Sequence, residues 1–299
     1  MRGPYHEGEL AVQRRAGVEA MAAKIGRGIH AELPPAAIDF LAARRYAIVA
    51  ATDGNGAVWA SPLVGAPGFL HAEGPRALAV AATPHAGDPL REALRRETMV
   101  GLLAIDLATR RRARVNGVAR PRAGGGFVLE VEQAYANCPK YIRRREPAET
   151  PAALAPLPAA RSPTLSAAQQ AWIASADTFF VATAHGERGA DASHRGGAPG
   201  FVTALDERTI AWPDYAGNAM FQTLGNLTAN PACGLLLVDF ARGATLQVAG
   251  RAQVQWGAPP ARDGAGAERS VVLAVEEVVE TAGSFLSGWR DLDASSDAA

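Results

Sequence analysis

Short runs of apolar and polar residues, divided by turn residues, fill most of this 299-residue chain. Residues 47–52 and 58–64 read as two strands, joined by Asp53-Gly54 and Asn55-Gly56, which suit the positive φ of a tight hairpin. Strands follow at 100–107 and 114–120, and Gly124-Gly125-Gly126 turns the chain into another at 127–131. The second half repeats this texture, with strands at 178–184, 190–194, 233–240, 245–256 and 270–275. Helices are fewer. Residues 1–35 form a helical lead-in ending at Pro34-Pro35, followed by a short helix over 35–44. Asp88-Pro89 caps and opens a short helix through Arg95. Ser166 and Gln169 make a capping box for a helix to 175. Asn218 caps a helix to 229, stopped by Asn230-Pro231. The chain is expected to close with a loop at 258–267, a final helix after 275 and a frayed end at 295–299.

The two halves match. Gly65-Ala66-Pro67-Gly68-Phe69 recurs as Gly197-Ala198-Pro199-Gly200-Phe201, a spacing of 132 residues. Ala60-Ser61 meets Ala192-Ser193 at the same spacing. Gly101-Leu102-Leu103 with Asp106 meets Gly234-Leu235-Leu236 with Asp239, and Val115 and Gly117 meet Val248 and Gly250, now at 133. One residue added in the second copy explains the change. Alanines match by chance in an alanine-rich chain, but an ordered glycine–proline–aromatic block at a fixed long period indicates a tandem duplication. Short strands, tight turns and few helices predict a mainly β chain with flanking helices, built as two antiparallel barrels. The expected domains are a lead-in plus barrel at 1–146, a proline-rich linker at 147–163, and a second barrel with a C-terminal helix at 164–299.

Composition narrows the function. Thirty basic residues balance thirty acidic ones. That neutrality argues against a dedicated nucleic-acid binder. The run Arg110-Arg111-Arg112 with Arg114 reads as a solvated turn or strand end. No charged-then-apolar leader and no membrane-length apolar run is present, so a cytoplasmic location and no membrane partner are expected. Cys138 and Cys233 form no Cys-x-x-Cys pair, and Cys233 lies in an apolar run expected in the core.

The chemistry concentrates in the second half. Ser193-His194-Arg195-Gly196-Gly197 sets a cation and bare backbone beside a strand, and Pro213-Asp214-Tyr215-Ala216-Gly217-Asn218 opens a helix. A guanidinium fork, exposed amides and a helix N-terminus are the parts of a phosphate site. Gln247 adds an amide on a later strand. This order (Ser-His-Arg-Gly, Pro-Asp-Tyr-x-Gly-Asn, Asn-Pro, Gln-Val-x-Gly) resembles the FMN-binding split-barrel proteins related to pyridoxamine 5'-phosphate oxidase, over most of 166–256. Asn137-Cys138-Pro139-Lys140-Tyr141 also looks like a family element, without an assigned role.

The resemblance implies two split barrels and an FMN held by Ser193, His194, Arg195, Gly196, Gly197, Pro213, Asp214, Tyr215, Gly217, Asn218 and Gln247. The flavin cleft is expected between barrels, within the chain or across a homodimer. The first half lacks the key groups. Pro62 and Leu63 stand opposite His194 and Arg195, and Asp88 near the matching helix start would repel a phosphate. One FMN per chain is therefore expected. No histidine follows His194, so the substrate pair of a true pyridoxamine-phosphate oxidase is missing. Three functions stay open. They are an FMN-dependent oxidoreductase with NAD(P)H or another small reduced donor, a non-catalytic flavin module that senses or partners a reductase, and a haem protein with His194 as ligand. No metal site, acid, base or nucleophile is assigned.

Overall fold

Each half of the chain builds one antiparallel sheet on the same seven-strand path, and the second sheet carries an eighth strand at its side. The computed structural model describes residues 3–148, 155–257 and 267–293. The first sheet uses β1 (Tyr46–Thr52), β2 (Val58–Val64), β3 (Leu70–Gly74), β4 (Ala77–Val80), β5 (Thr98–Asp106), β6 (Arg111–Pro121) and β7 (Phe127–Ala136). Two short strands follow, β8 (Arg145–Glu146) and β9 (Ala160–Ser162). The second sheet uses β10 (Thr178–His185), β11 (Gly189–Gly196), β12 (Thr203–Asp206), β13 (Thr209–Asp214), β14 (Ala232–Asp239), β15 (Ala244–Trp256) and β16 (Arg269–Thr281). A last strand, β17 (Arg290–Asp291), pairs with β8.

The strand orders correspond one to one: β2-β1-β5-β6-β7-β4-β3 in the first sheet and β11-β10-β14-β15-β16-β13-β12 in the second. Neither sheet closes edge to edge, as befits a split barrel. Each has its own core. Trp59, Leu102, Val115 and Phe127 centre the first, and Phe179, Trp212, Leu235 and Val248 the second. Between them lies a third apolar layer, in which Ile48, Ala50, Ala60 and Leu103 meet Phe180, Ala182, Ala192 and Leu236. Strands β1 and β10 are therefore buried on both faces, which is why they read as unbroken apolar runs.

The contact between units is nearly two-fold symmetric. A side chain at Gly101 would strike Ala190 O and Asp191 Cα, each at 2.6 Å, and one at Gly234 would strike Val58 O and Trp59 Cα. Positions 58 and 190, and 59 and 191, match at the 132-residue spacing. Each unit thus presses the same strand crossing onto its mate, the isologous geometry of a dimer. The Gly-Ala-Pro-Gly-Phe blocks also do one job twice. Gly68 (φ 93°) and Gly200 (φ 92°) take left-handed turns, and Phe69 and Phe201 enter the two cores.

Five helices flank the sheets: α1 (Glu7–Arg15), α2 (Glu19–Gly26), α3 (Pro35–Ala42), α4 (Ala167–Ser175) and α5 (Gln222–Ala229). The capping box of Ser166 and Gln169 forms as the sequence predicts. Helix α1 packs on the second unit. Val12 joins the second core, Gln13 Nε2 donates to Met220 O at 3.0 Å, and His6 Nε2 lies 2.8 Å from Asn226 Oδ1.

Several expectations are corrected. The sheets gain strands that the sequence pattern does not predict, because the short edge hairpins β3–β4 and β12–β13 gave little sequence signal, and β9 pairs with β16 as an eighth strand of the second sheet. No helix follows residue 275 among the described residues: β16 runs on to Thr281, its Val271, Leu273, Val275 and Val278 filling the second core and its Val279 reaching the first. Asp88-Pro89 leads only to a 3-10 turn, Ala93–Arg95. Helix α5 begins at Gln222, four residues after Asn218, and Pro213-Asp214 end β13 instead of opening a helix. The expected loop at 258–267 lies almost wholly outside the described residues, as do the end at 295–299 and positions 149–154 of the linker.

Candidate functional site

Where β11 meets β6 across the interface, polar groups replace the apolar layer. On β6, Arg112, Arg114 and Asn116 alternate with Ala113 and Val115, so the even positions face the other unit while the odd ones serve the first core. Arg114 is buried, and its Nη1 lies 3.0 Å from both carboxylate oxygens of Asp191. Tyr135 Oη and Ser193 Oγ also donate to Asp191, at 3.2 and 3.0 Å. This is a buried ion pair spanning the units, in which Asp191 accepts from several donors while Arg114 Nε has no hydrogen-bond partner.

Beside it lies a cavity of about 100 Å³. The second unit lines it with Ser193, His194, Arg195 and Gly196 of β11, Asp214 and Tyr215 at the end of β13, and Gly217 and Asn218. Eight of the residues singled out from sequence thus meet at one place. The first unit adds Arg112, Arg114, Asn137, Cys138, Lys140 and Tyr141. The start of α5, Gln222 to Leu224, completes the wall. That helix has no side-chain cap, because Phe221 enters it in a left-handed conformation (φ 61°). Its first amides are left without a capping side chain at the cavity wall.

Positive charge here lacks counterions. Among the described residues neither Arg112 nor Arg195 makes an ion pair. Arg195 Nη1 donates to His194 O at 3.2 Å, and Arg112 Nη2 to Cys138 O at 2.5 Å. Burial, with the Arg114 and Arg195 charges, pushes the Arg112 pKa down to about 9, and burial also lowers that of Arg195. Burial first, then the cations Arg112 and Arg195, hold His194 well below the ordinary imidazole range, so it is neutral at pH 7. His194 Nδ1 lies 3.4 Å from an Arg112 donor, which leaves the proton on Nε2. His194 Nε2 and Arg112 Nε are both buried without a hydrogen-bond partner. Uncompensated guanidinium groups, orphaned donors and free helix amides suit a phosphate. Asp214 adds little repulsion, since Arg269 Nε holds its carboxylate at 3.0 Å.

Three expected site residues stand apart from the cavity. Gly197 is a glycine because a Cβ would lie 2.6 Å from Phe201 Cγ, and Gly65 does the same for Phe69. Pro213 pairs with Ser270 inside the sheet. Gln247 is fully buried against the first unit, and its Nε2 donates to Ala60 O, Ser61 Oγ and Asp88 Oδ2 at 2.9, 3.0 and 3.1 Å. Gly196 lines the cavity, yet its missing side chain makes room for Tyr141 O.

Gln247 stands at the position that Arg114 holds in the first unit, 133 residues earlier. It closes the mate of the Arg114 site. There Ser61 Oγ donates to Asp88 Oδ1 at 2.7 Å, so Asp88 is paired with both Ser61 and the Gln247 amide nitrogen, while Gln247 Oε1 has no hydrogen-bond partner. Asp88 is thus a buried acceptor, not a charge waiting to repel a ligand.

The reading of the arginine run as solvated is corrected for Arg112 and Arg114; their alternation with Ala113 and Val115 was the signal that could have placed them. The segment from Asn137 to Tyr141 gains a place: it straps the cavity, Tyr141 stacking on Tyr215 at 5.2 Å and donating to Ala216 O at 3.1 Å. Cys233 is a core residue as expected, its thiol pushed up to about 12 by burial. One cluster among the described residues, His6, Glu7 and His185, has the spacing of a metal site. Its imidazole nitrogens are engaged with Gly8, Asn226, Glu187 and Glu7, so it pins α1 to the second unit.

The architecture is that of an open antiparallel split barrel, with a cation-lined cavity where its sheet meets a second, like sheet. Residues 165–281 match the family model of pyridoxamine 5'-phosphate oxidase, so the resemblance lies in the second unit. Among solved structures, HupZ of Group A Streptococcus is similar at 14% identity, over 42% of this chain and 98% of its own, with a TM-score of 0.33. A Clostridium acetobutylicum protein related to general stress protein 26, of the pyridoxinephosphate oxidase family, is similar at 12% identity, over 42% of this chain and 92% of its own, with a TM-score of 0.29. No curated protein matches the chain. No helix among the described residues is long and apolar enough to cross a membrane.

Proposed function

We propose that the cavity between the units holds the phosphate of FMN and that the protein is an FMN-dependent oxidoreductase. The observation that carries this reading is the convergence of Arg195, Arg112 and the uncapped start of α5 on one space. Arg195 and Arg112 would neutralise the phosphate, the α5 amides and His194 Nε2–H would donate to it, and the Tyr141–Tyr215 strap would shield it from water. When bound, a flavin supplies the hydride and electron chemistry. The surrounding cations make the site electron-poor, which favours an anionic, reduced ring near them. They also oppose a metal cation beside His194, which argues against the haem reading.

The two units act, on this reading, as a fused dimer from a duplicated barrel, with one site retained and its mate closed by Gln247 and Asp88. Both cavity walls come from one chain, so no second copy is needed.

Titrating apo-protein with FMN tests this. Saturation is expected at one flavin per chain, with riboflavin, which lacks the phosphate, binding far more weakly. Arg195→Ala is expected to weaken FMN by about 1.5–3 kcal/mol, the scale of a charge-assisted hydrogen bond. Riboflavin binding as tightly as FMN, or two flavins per chain, would refute the site. Bleaching of the bound flavin by NAD(P)H would separate an enzyme from a passive module.

A further inference from the structure

The run Arg110-Arg111-Arg112 borders a second and larger cavity, of about 370 Å³, in the first unit. Its accessible walls are apolar: Pro34, Ala36 and Ala37 around the start of α3, Ala136 at the end of β7 and Pro139, with Phe40 beneath them. This volume lies at the lower end of small-molecule pockets. The cavity shares Arg112, Arg114 and Asn137 with the phosphate-suited one, so the two spaces meet at those side chains. Asn137 Oδ1 and Nδ2 are both buried there without a hydrogen-bond partner.

The charge on its border is one-sided. Arg110 reaches Asp293 at 3.2 Å. Arg111 lies over Phe40, 5.0 Å from the ring centre, and like Arg112 makes no ion pair among the described residues. An apolar interior with two uncompensated guanidinium groups at its border is complementary to a molecule with an apolar body and an acidic head.

We propose that this chamber is the substrate pocket and takes a small apolar carboxylic acid, its head on Arg111 and its body against Ala37, Phe40 and Ala136. Binding of the acid follows from the chamber alone; its role as substrate rests on the flavin reading above. Asn137, at the junction, would meet the ligands on both sides.

The test uses the full chain, with octanoate and its neutral counterpart octanol as probes, in calorimetric titrations with and without FMN. Octanoate is expected to bind at least ten times more tightly than octanol. From hexanoate to octanoate, each added methylene should tighten binding roughly 3- to 4-fold, the value for burying one CH₂. Octanoate should bind together with FMN and perturb the visible spectrum of the flavin. Ala37→Trp, which fills the chamber from α3, should abolish octanoate binding while FMN occupancy is kept. Arg111→Gln, a surface change that leaves the core untouched, should weaken octanoate roughly tenfold, so the proposal stays testable if the tryptophan variant misfolds. Octanol binding as well as octanoate, competition between octanoate and FMN, or full octanoate affinity in Arg111→Gln would each overturn it. A flavin spectrum indifferent to bound octanoate would overturn the substrate role. If the chain takes up no FMN yet still binds octanoate, the flavin reading fails and the acid pocket stands.

Discussion

Removing Arg114 probes the joint between the units more directly than any other single change. Its Nη1 lies 3.0 Å from each oxygen of Asp191, and both side chains are almost fully buried, at 6% and 4% exposure. Arg114→Met keeps the length of the apolar stem and deletes the charge. The carboxylate of Asp191 is then left buried with neutral donors only, Tyr135, Ser193 and Asn116. Breaking a buried pair from one side costs about 3–5 kcal/mol. In urea, with a slope of about 3 kcal/mol/M, the midpoint should fall by about 1–1.5 M. Asp191→Leu should cost a similar amount by stranding Arg114. The double variant removes both charges, so its loss should be smaller than the sum of the singles by at least about 2 kcal/mol. Two singles that simply add, or an Arg114→Met loss under about 1 kcal/mol, would refute the claim that this pair bridges the units.

Gly234→Ala should lower stability by about 1–3 kcal/mol, since the new methyl would press on Trp59 Cα at 2.8 Å and on Val58 O, backbone that cannot swing away. Gly54→Ala, with nothing within 4 Å, should stay within about 0.5 kcal/mol in the same melting experiment, and equal losses would contradict the close crossing. Burial raises Asp88 from 3.8 to about 6, against the opposing donors Ser61, Leu90 and Gln247. The folded state therefore holds this proton more tightly than the unfolded chain, and that stabilisation, complete below pH 4, is lost as pH rises through 6. Asp88→Asn should gain on the native protein by about 2–3 kcal/mol between pH 4 and 7.5, and a pH-independent difference in urea midpoints would contradict this.

Much of this architecture can be read from the sequence because the two halves carry the same residues for the same physical reasons. Gly65 and Gly197 make room for a phenylalanine, and Gly101 and Gly234 for a neighbouring backbone. The repeat also accounts for Gly197, which, like Gly65, is a glycine to make room for a phenylalanine and stands apart from the cavity. Local rules placed Ser193 to Gly196, because a charged side chain at the end of an apolar strand stands out. They could not bring in Arg112, Arg114 or Tyr141, which lie roughly 50 to 80 residues earlier and reach the cavity only through the pairing of the sheets. Gln247 was misplaced for the same reason: a strand's alternation fixes which face a residue is on but not what covers that face. The missing final helix reflects a run of valines and glutamates that fits either period until its partner strand is known.

The near two-fold pairing has a consequence for how the protein behaves at low abundance. Two separate barrels joined across such a face would fall apart on dilution, and any site between them would vanish with the complex. A covalent tether replaces their bulk concentration with a local one on the order of millimolar. The assembled state here is thus independent of how many copies a cell makes. Tethering also frees heredity from symmetry. In a dimer of identical chains every substitution lands on both faces at once, whereas here one face could acquire Gln247 while the other kept Arg114.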